Sequence, residues 1–314
     1  MILSVLPLSG QTNTTSTRIR LAYPVYSQYL HNGLLINPAY AGSREILSLF
    51  VSGRQQWSGI NGAPRMETLS MHSLLKNNRV GVGLSGQFYQ YGDAQYGISR
   101  FTSIYADYAY HIKLSTGHLS LGLKAGFDMS TTKYTDEFRS TLTNPNDPVF
   151  MDNESLFLPN AGAGIYYYGK NFFFGAAIPS FLGYRRTSDS KLTFRALDDF
   201  NVNISAGGLI AFSDEFKFKP SVFIDYPVKQ PDELRVDLNG NFIIKDFVWI
   251  GGSYRTKEEV AVAILQLQIN PQIMFGYSYD YPLGRMNNYS KGSHEIVFRY
   301  EFSYKVNAAN PRYF

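Results

Sequence analysis

The chain has 314 residues, a formal net charge of +4 and no cysteine, which excludes disulfide and thiol chemistry. Charged residues make up only 17% and aromatic residues 16%, a balance that suits a membrane–water boundary better than an ordinary soluble surface. No block of Lys and Arg follows the pattern of a nucleic-acid-binding tail, so no nucleic-acid partner is expected. No run of about 18 apolar residues is present either, so no transmembrane helix is predicted.

The first 18 residues are predicted to be a signal remnant and a flexible lead-in. Residues 1–10 hold a short apolar run that ends in small residues, typical of the tail of a secretory signal cleaved near Gly10–Gln11. A disordered N-terminus is the alternative. Residues 11–18 are polar and low in complexity, which indicates a flexible segment.

Residues 19–45 are too apolar for a free tail and too interrupted for a regular element. Tyr and Leu recur through the segment, while Pro24, Pro38 and Gly42 break any helix or strand. We expect an irregular, plug-like segment that packs in the lumen of a barrel or at its mouth.

From residue 46 to residue 305, apolar and polar residues alternate with period two, which predicts strands with two different faces. Ile296, Phe298 and Tyr300 point one way in the last strand, and Glu295 and Arg299 point the other. Fourteen strands are predicted, at 46–54, 66–75, 79–89, 97–114, 118–131, 160–168, 172–180, 201–213, 216–226, 233–244, 247–255, 259–269, 273–281 and 293–305.

The alternation fits a soluble sandwich as well as a membrane barrel, and two observations favour the barrel. Most spans reach the roughly 9–11 residues that a tilted strand needs to cross a bilayer, whereas soluble strands average about 5–6. Connections after even-numbered strands are tight turns, while those after odd-numbered strands are mostly long, which is typical of outer-membrane barrels. We therefore predict an all-β fold, a transmembrane antiparallel β-barrel of about 14 strands over residues 46–305, followed by a tail at 306–314.

An even strand count allows both chain termini to lie at the short-turn, periplasmic end. The barrel must also close, because unpaired backbone groups in lipid cost several kcal/mol each. No linker or composition shift divides residues 46–305, so one domain is expected.

The sequence lacks the catalytic motifs of hydrolases, metalloproteases and phosphate-binding enzymes, so no enzyme, metal or cofactor is predicted. Asp107 and His111 share a strand face, for which a paired lumen network is favoured over catalysis or metal binding. His294 and Glu295 favour a turn held by hydrogen bonds over an acid–base pair. Lumen charges of both signs are expected to pair across the barrel or to bind a plug, with a selective ion pathway as the alternative.

The loop Arg54–Pro64 carries Trp57, one of only two Trp, together with Gly59 and Gly62. An interfacial Trp that anchors a well-built loop is one interpretation. A protein-docking or gating element is the other.

Two segments resemble a known family. Asn37-Pro-Ala-Tyr-Ala-Gly42 and Arg54-Gln-Gln-Trp-x-Gly-x-x-Gly-Ala-Pro64 are similar to the signature of the PorP/SprF family of Bacteroidota outer-membrane proteins, and Tyr26-x-Gln-Tyr29 and Gly292-Ser-His-Glu-Ile296 support the match. The candidate partner-binding or motif residues are Asn37, Pro38, Tyr40, Gly42, Arg54, Trp57, Gly62, Pro64, His294 and Glu295.

The resemblance implies a non-enzymatic, outer-membrane component of the type IX secretion system, linked to gliding motility. It implies docking of the C-terminal sorting domain of a secreted adhesin, and contact with secretion components that include a periplasmic peptidoglycan-binding lipoprotein. A passive outer-membrane channel or a hydrophobic-substrate transporter is the alternative. The sequence departs from the family in lacking a full signal peptide and in carrying the tail at 306–314.

Overall fold

The computed structural model describes residues 17–19, 27–76, 78–142, 154–186, 192–197 and 200–302. Each of the fourteen predicted strands lies wholly or largely within these ranges. The expectations for residues 1–16, for residues 20–26 and for the tail at 306–314 lie outside the described residues.

Within the described ranges, fourteen antiparallel strands form a closed barrel, as predicted. Each strand pairs with its neighbours in chain order, and the last strand pairs with the first, from Phe302 opposite Leu47 to His294 opposite Gln55. The strands are β1 Leu47–Gln55, β2 Arg65–Leu74, β3 Val80–Tyr91, β4 Gly97–Lys113, β5 Gly117–Tyr134, β6 Glu154–Gly169, β7 Phe172–Ile178, β8 Asn201–Gly208, β9 Phe216–Pro227, β10 Arg235–Ile244, β11 Val248–Arg255, β12 Val260–Gln268, β13 Ile273–Pro282 and β14 Ser293–Phe302.

Strands β5 and β6 are longer than the alternation predicts, since their pairing continues to Thr132 opposite Glu154. Pro159 lies inside this extension, opposite Phe127. A proline normally marks the edge of a strand because it cannot donate to the ladder, whereas here the strand begins five residues before Pro159, at Glu154. Two residues, Ile210–Ala211, continue the line of β8 and pair with β9.

The barrel has two unequal ends. Even-numbered strands connect through short turns, such as 114–116, 170–171 and 245–247, which define the short-turn end. Strand β5 is followed by β6, and β7 by β8, at the opposite, long-loop end, where 18 or more residues separate the strands in the sequence. In outer-membrane barrels the short turns face the periplasm and the longer loops face outward.

Side chains alternate between the outside and the lumen, as period two requires. In β5, Leu121 and Leu123 are exposed on the outer wall, while Ser120 and Lys124 are buried in the lumen. In β14, Ile296 is 61% exposed beside the buried Glu295. The outer wall is thus apolar and the lumen polar, which suits a barrel in lipid. No helix in the described residues is both long and apolar enough for a membrane crossing.

The described residues directly before β1, 27–46, lie in the lumen, where the sequence predicts an irregular segment over 19–45 in the lumen or at its mouth. This segment, residues 27–46, is called the plug. It consists of two 3₁₀ turns, Tyr29–His31 and Pro38–Tyr40, and one short helix between them, α1 Gly33–Ile36. Leu34, Ala39 and Tyr40 of the plug form the main apolar cluster with wall residues that include Ala109, Tyr166 and Phe173.

A second, small sheet lies in the connection after β7. Its central strand is Leu182–Arg186, which pairs with Thr17–Ile19 on one side and with Leu192–Ala196 on the other. We call it the outer sheet, because the connection that carries it is at the long-loop end.

Candidate functional site: the plug and its anchors

The first described residue of the plug, Ser27, is held at the long-loop end of the lumen. Its backbone N–H donates to Glu295 Oε2 at 3.0 Å, and its hydroxyl donates to Asp280 Oδ1 at 2.7 Å. Arg54 donates to the same hydroxyl at 2.9 Å, and to Asp280 Oδ2 at 2.7 Å and Glu295 Oε2 at 3.2 Å. One plug residue therefore completes a contact among three different strands.

A second arginine extends this cluster. Arg255 donates to Asp280 Oδ2 at 3.2 Å and to Ser27 Oγ at 3.2 Å, and lies 3.3 Å from Asp237 Oδ2. All of these side chains are buried. Charges removed from water need such partners, because an unpaired ion in a low-dielectric site is strongly disfavoured. The cluster is called the upper anchor and consists of Ser27, Arg54, Asp237, Arg255, Asp280 and Glu295.

His31 lies deeper in the lumen. Arg299 Nη1 lies 3.3 Å from His31 Nδ1, the Gln266 side-chain amide lies 2.5 Å from Nε2, and the ring meets Trp249 edge-on at 5.5 Å. Burial and the nearby cations Arg299, Lys219 and Arg44 lower the pKa of His31 well below its usual range.

The family-like segment Asn37–Gly42 forms a second anchor towards the short-turn end. The Asn37 amide donates to the Ile165 carbonyl at 2.8 Å, and its oxygen accepts from the Ala39 N–H at 2.9 Å. The Gly42 N–H donates to His72 Nδ1 at 3.0 Å. Asn37 thus caps the turn that begins at Pro38 and ties that turn to β6.

His111 completes this anchor from β4. Its Nε2 donates to the Ala41 carbonyl at 2.8 Å, and its Nδ1 lies 3.2 Å from the Tyr168 hydroxyl. The Tyr40 ring packs edge-on against His72 and Tyr166. The lower anchor consists of Asn37, Pro38, Tyr40, Ala41, Gly42, His72, His111 and Tyr168.

Glycines in the wall allow the plug backbone to approach this closely. A Cβ on Gly122 would lie 2.1 Å from the Ala39 nitrogen, and one on Gly81 would lie 2.0 Å from the Ala41 carbonyl oxygen. Gly42 has φ of +81° and would bring a Cβ within 2.7 Å of the Gly81 Cα, so this position requires glycine on two grounds.

Below the lower anchor, Arg44 Nε donates to Glu301 Oε1 at 2.5 Å, and Arg299 Nε lies 3.3 Å from the same oxygen. Burial opposes the Arg44 charge, but the Glu301 carboxylate outweighs it and raises the pKa of Arg44 above its usual range. The plug is therefore held by buried charged groups at both ends of the lumen.

The Arg54–Pro64 loop forms a cap beside the upper anchor. The Trp57 N–H donates to Ser293 Oγ at 3.1 Å, and Ser58 exchanges backbone hydrogen bonds with Gly292 and Lys291 at 2.7 and 2.8 Å. On its other side, the Gly62 carbonyl accepts from the Gly92 N–H at 2.9 Å. The loop is thus tied to both neighbouring long-loop connections.

The structure divides the predicted site residues into groups. Arg54 and Glu295 meet in the upper anchor, while Asn37, Pro38, Tyr40 and Gly42 form half of the lower one. Trp57, Gly62 and the buried Pro64 belong to the cap loop. His294 lies apart on the outer wall, where its Nδ1 is 2.7 Å from the Tyr277 hydroxyl. His294 and Glu295 therefore point to opposite faces of β14 and do not form an acid–base pair.

Sequence reasoning missed Ser27, His31, Arg44, Asp280 and Arg255 as site residues. Asp280 and Arg255 are single charges on otherwise uncharged inward faces, near the long-loop ends of their strands. An ionisable residue in a membrane segment is itself a signal of function. Ser27 offers no such signal, because nothing local distinguishes it.

A small cavity remains between the plug and the wall. It measures about 20 Å³, roughly the room that one water molecule needs, and it is bordered by Tyr29, Tyr40, Phe173 and Lys219 among others. This cavity is too small for a dissolved aromatic compound. In the described residues, no group of three or more His, Asp or Glu side chains is arranged to hold a metal ion.

Comparison with solved structures shows the same kind of barrel. The CymD monoaromatic hydrocarbon channel matches with a TM-score of 0.52 at 12% identity, covering 90% of this chain and 95% of that one. The toluene transporter TbuX of Ralstonia pickettii matches with a TM-score of 0.53 at 10% identity, covering 87% and 94%. At such identities the likeness concerns the fold alone. No curated protein sequence matches the chain.

The family comparison covers nearly the whole barrel and the plug. The model for the type IX secretion system membrane protein PorP/SprF matches residues 20–300. This match, together with an apolar outer wall and a closed barrel, places the protein in the outer membrane. The chain belongs to the PorP/SprF family of type IX secretion system membrane proteins.

Proposed function

We propose that this protein is a plugged docking barrel, which holds a secreted surface adhesin by its C-terminal sorting domain and links it to the secretion and gliding machinery. Membership of a secretion family supports the setting. The observation that carries the proposal is the plug, which occupies the lumen and contacts buried charged groups of the wall at both ends. A barrel filled in this way presents its two ends to partners, and its lumen is occupied by its own chain.

The two ends suit different partners. The long-loop end carries the cap loop and the outer sheet, and it faces the cell exterior in the usual orientation of such barrels. A secreted adhesin reaches that end. Periplasmic secretion components, including a peptidoglycan-binding lipoprotein, reach only the short turns. Docking on both sides of the membrane would connect a surface protein to the periplasmic apparatus.

Affinity purification from native membranes tests this proposal. The tagged barrel should recover a secreted protein with a C-terminal sorting domain together with secretion components, identified by mass spectrometry. A different outer-membrane barrel carrying the same tag is the control for non-specific recovery. Recovery of the folded barrel without either class of partner contradicts docking.

Site-directed blocking shows which end takes the adhesin. The chain has no cysteine, so Asn61→Cys in the exposed cap loop and Ser115→Cys in a short turn can each carry one bulky maleimide conjugate. The conjugate at position 61 should reduce adhesin capture by the purified barrel, while the same conjugate at position 115 should leave capture unchanged. Equal capture by the two conjugates counts against docking at the outer end.

A channel for small hydrophobic compounds is the second candidate. It is supported by the barrel fold shared with CymD and TbuX, which are described as a monoaromatic hydrocarbon channel and a toluene transporter. The small size of the cavity beside the plug opposes it. Uptake of toluene into vesicles that contain the purified barrel, at a rate above that of empty vesicles, would favour transport over docking.

A further inference from the structure

The plug runs through the lumen in one direction. Ser27 contacts Asp280 and Glu295, which lie where β13 ends and β14 begins, at the long-loop end. Arg44 contacts Glu301, which lies at the other end of β14, next to Phe302. The chain therefore enters the lumen at the long-loop end and leaves it at the short-turn end, where β1 starts.

The described strand that precedes the plug, Thr17–Ile19, is found at the same outer end. Thr17–Ile19 pairs with Leu182–Arg186, with Arg18 opposite Arg185. Strand Leu182–Arg186 belongs to the connection from β7 to β8, which is a long-loop connection. Two independent contacts, at Ser27 and at Thr17–Ile19, thus indicate that Thr17–Ile19, which we call the N-terminal arm, lies at the long-loop end of the lumen.

The outer sheet is fixed to the inner face of the barrel rim. Buried Asn160 of β6 donates to Ser180 Oγ at 2.5 Å, and the Phe181 N–H donates to the Ala161 carbonyl at 2.8 Å. The buried Tyr184 hydroxyl donates to the Pro159 carbonyl. These contacts hold the strand that receives Thr17–Ile19 against the upper part of β6.

We infer that the N-terminal arm is a cell-surface element, which joins the outer sheet and is open to proteins outside the cell but not to periplasmic ones. The even strand count, which allows both termini at the periplasmic end, does not decide where the arm lies, because the plug passes through the barrel before β1 begins. The inference rests on the barrel orientation and on these contacts, and it is independent of adhesin docking. A partner of the arm must be a secreted or surface-bound protein.

Single cysteines test the position of the arm in the full-length protein on intact cells. Arg18→Cys should react with a membrane-impermeant maleimide to the same extent as Asn61→Cys in the cap loop. Ser115→Cys in a short turn should react only after the outer membrane is permeabilised, with a gain of about tenfold or more expected from that change in access. Reaction of Arg18→Cys only after permeabilisation overturns the inference, as does reaction of Ser115→Cys on intact cells.

A cross-link covers the case in which Arg18→Cys reacts in neither state. Arg18 and Arg185 are register partners, so the Arg18→Cys/Arg185→Cys double variant should form a disulfide on mild oxidation of intact cells. Arg18→Cys/Ser115→Cys is the matched control and should stay reduced. Heat-dependent gel mobility confirms that both variants contain a folded barrel. An uncross-linked folded double variant overturns the inference.

Discussion

At the scale of single residues, the lumen depends on buried charges that compensate one another. Arg54 by itself makes contacts with three groups, Ser27, Asp280 and Glu295. Each of them is almost fully shielded from water. Such a cluster is costly to leave incomplete, because removing one member leaves buried charges with fewer counter-ions than they need. The family-like Arg54-Gln-Gln-Trp57 segment is thus explained in part by plug anchoring, since its first residue points inward and its last belongs to the cap.

Arg54→Ala should loosen the plug. The change leaves Asp280 and Glu295 short of their main cation, and breaking a buried pair in this way costs about 3–5 kcal/mol. Fluorescence of Trp249, which packs against His31, reports plug release when Trp57→Phe removes the only other Trp. In the Trp57→Phe background, Arg54→Ala should release the plug at a lower urea concentration than the Trp57→Phe protein does.

Arg100→Ala is the control for Arg54→Ala, since it removes an exposed arginine that contacts Gln90 at the barrel surface. It should change the free energy of plug release by no more than about 0.5 kcal/mol relative to the parent. If both substitutions give the same midpoint, the upper anchor does not hold the plug.

His31 should make plug seating weaker in acid. Its pKa is lowered in the folded protein by burial and by Arg299, Lys219 and Arg44, so the released plug binds a proton that the seated plug does not. The free energy that favours the seated plug should therefore be highest above the ordinary histidine pKa of about 6.5. Below that pH it should decrease by at most about 1.4 kcal/mol per pH unit.

The release midpoint by Trp249 fluorescence, followed from pH 8 to pH 5, measures this dependence. In His31→Asn the side chain cannot take up a proton, so the acid-side slope should become shallower. His72 and His111 also contact the plug and remain in both proteins, so part of the slope is common to both. An unchanged slope would show that His31 does not contribute.

At the scale of elements, the plug and the wall are matched by shape. The turns of the plug are short and irregular because Pro38 and the glycines prevent a longer helix. Where the plug backbone passes β5 and β3, those strands carry glycine, and the backbones approach without an intervening side chain. The Asn37–Gly42 segment and the wall glycines therefore act as one packing unit.

Gly122→Ala should disturb that unit. The added Cβ would lie 2.1 Å from the Ala39 nitrogen, so the plug backbone must move, which typically costs about 1–3 kcal/mol. Gly53→Ala is the matched control in β1, because its Cβ would meet no atom within 4 Å. The urea concentration at which the plug is released should fall in Gly122→Ala and stay unchanged in Gly53→Ala. A shift of equal size in Gly53→Ala would mean that strand glycines matter for the barrel and not for plug contact.

The strands could be predicted from the sequence because period two is a local signal, and the lengths of the connections favoured a barrel over a sandwich. The presence of a packed segment before β1 was also visible, since its apolar residues needed a place to be buried. Arg54 and Glu295 of the upper anchor were candidates from the sequence, but their meeting with Ser27 and Asp280 could not be predicted. Ser27 and Asp280 are separated by 253 positions, and no local pattern marks such a pair. The direction of the plug was equally hidden, because strand parity fixes where β1 starts and not where the preceding segment lies.

At the scale of the whole molecule, two kinds of interaction hold two parts of the structure. The barrel is a closed hydrogen-bonded ladder in lipid, in which the alternative to pairing is an unsatisfied backbone group. The plug is held by side-chain contacts at a limited number of points, chiefly the two anchors and the Arg44–Glu301 pair. A part of a protein that is held by fewer contacts opens at a lower free energy, so the plug should leave the lumen before the barrel unfolds.

Single-channel recording in planar bilayers tests this order. The intact protein should show no steady conductance, because the plug lies along the lumen from Ser27 to Arg44. Added urea should produce reversible conductance steps at concentrations at which heat-dependent gel mobility still shows a folded barrel, as expected if plug release precedes barrel unfolding. Arg54→Ala should give the same steps at lower urea, and Arg100→Ala should behave as the parent does. Steady conductance of the intact protein without urea would instead mean that solutes pass beside a seated plug, and the channel interpretation would then replace docking.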